Sequence, residues 1–127
     1  VTGVQTCALP ICKATVLAPF YDTLSTAVYS TLTQKMAMKI GSNYKFSEVQ
    51  ARHWEQFAES VGLTKAQAKR RILELAKLLP ANARKLQFAP ERGFVGNAVV
   101  EQISTLIEHC CALTIRRLNV PATESSV

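Results

Sequence analysis

The apolar positions along this chain change period as the sequence proceeds. Lys13–Leu17 is a short β-prone run of Thr15, Val16 and Leu17, stopped by Ala18-Pro19. Asp22 follows Phe20-Tyr21 in a position to cap a short helix over Thr23–Tyr29. Met36-Ala37-Met38-Lys39-Ile40 then alternates apolar with small or polar residues, meets Gly41-Ser42-Asn43, and resumes over Tyr44–Val49. That pattern predicts a hairpin, with Gly41 and Asn43 both able to take the positive φ of a tight reversal. Met36 and Met38 read as core filler on its first strand.

From Gln50 the period becomes helical. Trp54, Phe57, Ala58 and Val61 share one helix face, and Gly62 is a C-cap candidate. Thr64 with Gln67 three residues on is a capping box that opens a second helix, whose buried stripe is Ala68, Ile72, Leu75, Ala76 and Leu79. Pro80 either ends that helix or starts its continuation over Ala81–Leu86. After a loop at Ala89–Gly93, a last helix from about Val95 to Leu118 sets Val99, Ile103, Leu106, Ile107, Cys110 and Leu113 on one face. Pro121–Val127 is a small, polar, flexible tail.

At 127 residues the chain supports one small domain, and 48% hydrophobic with 19% charged residues excludes disorder for most of it. No eighteen consecutive residues are apolar, so no membrane span and no membrane partner is expected. Eight of the nine acidic residues are Glu and Asp22 is the one Asp, so any chemistry that needs aspartate has a single candidate.

Val1–Cys12 is uncharged, has neither helical nor strand period, and lacks the basic start of a signal peptide. Val1–Ile11 resembles the in-frame translation of a common short-read sequencing adapter. On that reading residues 1–12 are non-native, the folded domain is 13–120, and the N-terminal part of the natural protein is missing. Two of the four cysteines then remain, the adjacent Cys110 and Cys111, which build no disulfide framework and fit a reducing, cytoplasmic compartment.

Leu17-Ala18-Pro19-Phe20-Tyr21-Asp22-Thr23-Leu24-Ser25-Thr26, followed by Lys35-Met36-Ala37-Met38-Lys39-Ile40-Gly41, Arg52-His53-Trp54 and Leu79-Pro80-Ala81, resembles the C-terminal part of HipA-type serine/threonine kinases, the toxins of bacterial toxin–antitoxin modules. The resemblance implies a mainly α fold, the helical C-lobe of a protein-kinase-like architecture with one small β-hairpin. It also implies ATP and Mg²⁺ as cofactors, with Asp22 in the place of the second metal-binding aspartate and Tyr21 lining the nucleotide pocket. Holding Mg²⁺ against the β- and γ-phosphates takes a rigidly placed carboxylate. From the residues alone Asp22 is a helix cap, and one carboxylate can serve both roles. The implied partners are a protein substrate, a helix-turn-helix antitoxin, and operator DNA through the antitoxin complex. In the family the base Asp and a metal-binding Asn lie shortly upstream, where this chain has the adapter-like string. With one Asp, the chain itself is expected to be catalytically inactive, a fragment of a kinase.

Two other readings compete. Glu59–Arg71 imitates a helix-turn-helix, and Lys65, Lys69, Arg70, Arg71 and Lys77 offer a basic face for a nucleic-acid-binding module. The helix runs on past that motif with an apolar stripe, which makes it a packing helix first. The chain would otherwise be a non-catalytic helical scaffold. His53 beside Trp54 reads as structural, and Ser25 and Thr26 as polar residues at a helix start. His109-Cys110-Cys111 points in three directions around a helix and cannot converge on one metal.

Overall fold

The computed structural model describes the backbone of residues 8–11, 14–17 and 25–120, and the side chains of residues 25–120. Two antiparallel strand pairs precede three helices. Strands β1 (Ala8–Ile11) and β2 (Ala14–Leu17) form the first pair, with Ala8 opposite Leu17 and Ile11 opposite Ala14. The β-prone run is thus a strand, and its partner comes from the segment whose sequence carries no strand period. Pro10 is tolerated there because a two-stranded pair has only edges, where an amide need not join a ladder.

The expected hairpin is β3 (Lys35–Ile40) with β4 (Asn43–Lys45), Ile40 facing Asn43 across a Gly41-Ser42 turn. Gly41 takes the positive φ, +60°, while Asn43 lies on the strand and its Oδ1 accepts from the Lys45 amide at 2.9 Å. Register shifts within β3, so the alternation fails in the middle: Met36 and Ile40 are half-buried, whereas Met38 is 71% exposed and fills no core. The second strand is also shorter than expected, because Phe46–Glu48 closes into a 3₁₀ turn that carries Val49 into the core.

Helix α1 (Ala51–Ser60) follows the Gln50 cap, and α2 (Lys65–Gln87) follows the Thr64–Gln67 capping box, in which the Gln67 amide donates to Thr64 Oγ1 at 3.2 Å and the Thr64 amide to Gln67 Oε1 at 3.1 Å. Pro80 neither ends nor restarts α2. The helix runs through it, at the cost of one amide donor for the Ala76 carbonyl, because α3 packs along both halves. Helix α3 (Ala98–Asn119) starts later than the period suggests. Asn97 Oδ1 accepts from the amides of Val99 and Val100 at 3.0 and 3.2 Å, and Gly96 just before it holds φ +77°, which no helix continues through.

The antiparallel α2–α3 pair is the centre of the fold, and most of the side chains buried on it are small: Ala68 and Ala76 on α2, and Ser104, Cys111 and Thr114 on α3. The buried line of α3 is therefore Ser104, Cys111, Thr114 and Leu118, about a quarter turn away from the predicted stripe. Cys111, not Cys110, faces the core, and Val99 remains 41% exposed. Small residues win because they let the two backbones approach. Thr114 can be buried since its hydroxyl donates to the Cys110 carbonyl one turn back, at 2.8 Å. Among the described residues α3 alone reaches the length and mean hydropathy, 1.2, of a candidate membrane span. Its Glu101 and Glu108 ion-pair with α2, the arrangement of a helix that packs on protein.

Gly41 places the hairpin on α1. A Cβ there would lie 2.6 Å from the His53 carbonyl oxygen and 2.8 Å from its Cα. Gly62, between α1 and α2, has φ +74° but nothing within 4 Å of a built Cβ. Gly41→Ala therefore costs both the left-handed conformation and a backbone clash, about 2 kcal/mol or more, whereas Gly62→Ala costs the conformational part alone, about 1 kcal/mol. Urea unfolding of the two variants checks the difference, and equal midpoints would remove the hairpin–helix contact from the account.

Candidate functional site

Tyr21 and Asp22, the residues to which the resemblance assigns nucleotide and metal binding, lie outside the described residues, as do Pro19, Phe20, Thr23 and Leu24. Ser25 is the first described residue after them. The predicted short helix over Thr23–Tyr29 is, in its described part, one 3₁₀ turn at Thr26–Val28, closed by the Tyr29 amide on the Thr26 carbonyl at 3.1 Å. Ser25 precedes that turn without a side-chain capping bond, and the turn packs on α3. The chain that leaves Asp22 is thus anchored to the central helix pair within a few residues.

The second motif segment is also accounted for by packing. Met36 and Ile40 are the half-buried positions of β3, and Gly41 is the contact with α1. His53 is buried, and its Nδ1 accepts the Gln50 backbone amide at 2.8 Å, so the ring is committed to closing the N-terminus of α1. Burial, with Arg52 and Arg117 nearby, holds its pKa below the usual 6.5. Trp54 meets Phe57 edge to face, with centroids 6.2 Å apart.

His109, Cys110 and Cys111 do not converge, and no group of three metal-ligating side chains occurs among the described residues. Burial raises both thiols above their ordinary pKa, which keeps them protonated and poor nucleophiles. On the basic face, Lys65 pairs with Glu55 at 2.9 Å and more loosely with Glu59 at 3.8 Å, and Arg71 pairs with Glu74 at 2.8 Å. Lys69, Arg70 and Lys77 are exposed.

Two arginines that sequence reasoning passes over organise the described residues. Arg84 on α2 donates from Nε and Nη2 to both carboxylate oxygens of Glu108 at 2.7 and 2.8 Å, and from Nη1 to Glu101 at 2.8 Å and Gln87 at 2.9 Å. Buried Gln87 in turn donates to Glu101. Arg117 near the end of α3 donates to the main-chain carbonyls of Val49 (2.6 Å) and Ser47 (2.8 Å), tying the third helix to the turn that precedes the first. A sequence signal exists for the Arg84 cluster, since Glu101 and Glu108 are seven residues apart on one helix face. Nothing local pairs Arg117 with carbonyls some seventy residues earlier.

Opposite the Arg84 cluster the helices leave a groove of about 470 Å³. Trp54 and Phe57 of α1, Leu75 and Leu79 of α2, and Ile107 and Cys110 of α3 line it. Here the predicted α2 stripe is only partly buried: Leu75 and Leu79 are 43% and 49% exposed.

The sequence profile of the HipA-like C-terminal domain family matches residues 8–83, more than half of the chain. The chain belongs to this family. The matched span contains both motif segments and Asp22, begins at Ala8 inside the adapter-like segment, and ends within α2. A relative named "Putative kinase Y4mE", from Sinorhizobium fredii, is 42% identical over 59 residues, 46% of this chain and 14% of the relative. The chain thus spans about a seventh of the length of that relative. No solved structure matches.

The charge cluster and His53 set a pH response. Arg84 holds the carboxyls of Glu101 and Glu108 below their ordinary 4.5, so the unfolded chain binds more protons below that pH, and their stabilisation is lost as pH falls through the folded values. His53 acts with the same sign nearer neutrality: its lowered folded pKa makes stability fall as pH drops below 6.5. Urea midpoints measured from about pH 7.5 to about pH 3.5 should decline in two steps. Arg84→Met removes the acidic step, and His53→Asn, which keeps an acceptor for the Gln50 amide, removes the one near neutrality. A midpoint that stays flat between about pH 7.5 and about pH 5 would rule out the role given to His53.

Proposed function

We propose that this segment is part of the C-lobe of a HipA-like serine/threonine protein kinase of the bacterial cytoplasm, the toxin of a toxin–antitoxin module. The complete enzyme transfers the γ-phosphoryl of ATP to a protein hydroxyl, and a helix-turn-helix antitoxin and its operator DNA are its partners. The observation that carries this reading is the family match, which includes Pro19–Thr26 with the one aspartate of the chain. Asp22 is the metal ligand on this reading and Tyr21 a wall of the nucleotide pocket. Mg²⁺, when bound, neutralises charge on the phosphate oxygens. A kinase needs an Asp base as well as a metal-binding Asp, and one Asp cannot be both, so phosphoryl transfer belongs to a longer polypeptide that contains this segment.

In that longer polypeptide, Asp22→Asn lowers the rate of radiolabel transfer from ATP to protein on the order of 100-fold or more, with nucleotide-free stability unchanged. The 127-residue chain alone transfers nothing. Full activity in Asp22→Asn would overturn the assignment. Salt-dependent duplex binding by the chain alone, lost on Arg70→Ala with Arg71→Ala, would instead favour a nucleic-acid-binding module.

A further inference from the structure

Three elements meet at His53. The side chain is buried in the first turn of α1, where its Nδ1 accepts the Gln50 amide at 2.8 Å. Its backbone is the seat of the hairpin, so close that a Cβ on Gly41 would lie 2.6 Å from the His53 carbonyl oxygen. Just before it, Arg117 of α3 donates to the carbonyls of Val49 and Ser47, and Val49 is itself buried.

This joint holds only while the ring is neutral. A lone pair on Nδ1 receives the Gln50 N–H, and a proton on that nitrogen would set one donor against another. The charged ring would also face cations alone. The charged groups that act on it are Arg52 on its own helix and Arg117 on α3. On the turn between hairpin and helix, Glu48 is held by Lys45 at 3.2 Å, and further along α1 Glu55 is held by Lys65 at 2.9 Å. A buried cation among cations is unfavourable until the ring reaches water, and the ring reaches water only if the first turn of α1 loosens.

The elements around the joint differ in what else secures them. The hairpin is a lone two-stranded pair with an interrupted register, packed on α1, and on β3 only Met36 and Ile40 are half-buried. Helices α2 and α3 are joined by Arg84 to Glu101 and Glu108, whose carboxyls stay ionised at every pH above 4.5. That clamp is intact where His53 takes up its proton.

We propose that His53 is a proton-operated latch: charging its ring releases the β3–β4 hairpin and the Phe46–Gln50 segment from the helices while the α2–α3 pair stays folded. The released segment carries the second motif stretch, Lys35–Gly41. The latch is independent of the kinase reading and of Asp22.

The sign follows from the ring's two states. In the opened segment His53 regains its ordinary 6.5, above its folded value, so opening becomes easier as pH falls below 6.5. Native-state hydrogen exchange of the 127-residue chain at low urea, corrected for the pH dependence of intrinsic exchange, tests this. Amides of the hairpin and of the first turn of α1 report an opening of lower free energy than that of α3 and nearly independent of urea. Its equilibrium constant rises about threefold or more between about pH 7.5 and about pH 5. In His53→Asn, which keeps an acceptor and takes up no proton, the constant stays level. Should that variant fail to fold, the comparison of hairpin with α3 in the unaltered chain decides. Two results would each overturn the proposal. One is a single opening free energy and a single urea slope for hairpin and α3 amides at both pH values, which makes His53 charge only on global unfolding. The other is a separate hairpin opening whose constant is the same at both.

Discussion

Close approach of α2 and α3 over small side chains is the contact from which the other elements hang. Ala68 and Ala76 of α2 are buried, as are Ser104, Cys111 and Thr114 of α3, and no large side chain among the described residues is fully buried. A core of this kind is thin, so each flank of the helix pair matters more than in a domain with a broad apolar centre. One flank is closed by polar groups, Arg84 with Glu101, Glu108 and Gln87, in a network that satisfies every member. The other flank is left as the groove.

The same pair carries the hairpin and the first helix. Arg117, fixed on α3, holds the carbonyls of Ser47 and Val49, and that turn delivers the chain to α1. His53 closes the start of α1, and Gly41 seats the hairpin against the His53 backbone. The motif residues that mark the HipA-like family in this half of the chain therefore position elements rather than perform chemistry. The chemistry proposed for the enzyme rests on Asp22, and the turn that comes after it is docked on α3.

Legibility in the sequence tracks the range of the interaction. The Thr64–Gln67 box, the Gly41 turn and the start of a helix after Gln50 are local, and each is where the pattern puts it, whereas Val61 of the predicted α1 face lies past the helix end and is 52% exposed. His53 is legible as structural because a polar residue at a helix opening beside a core Trp has main-chain amides to satisfy. The buried face of α3 departs from the predicted one because hydrophobicity alone favours Leu106, Leu113 and Cys110, while close helix packing selects Ser104, Cys111 and Thr114. Met38 departs from its predicted place because the strand alternation does not survive a register shift.

By itself the sequence determined the mainly α class, the hairpin, the start of α2 at its capping box, and the family, since all of these reside in short-range pattern or in motif residues read in order. Only the tertiary structure decided which side of each helix is buried, that α2 continues through Pro80, and that Arg84 and Arg117 are its clamps. Those depend on which backbones approach one another and which charges meet across the fold, and a helical period records how many faces are apolar without recording which neighbour arrives to cover them.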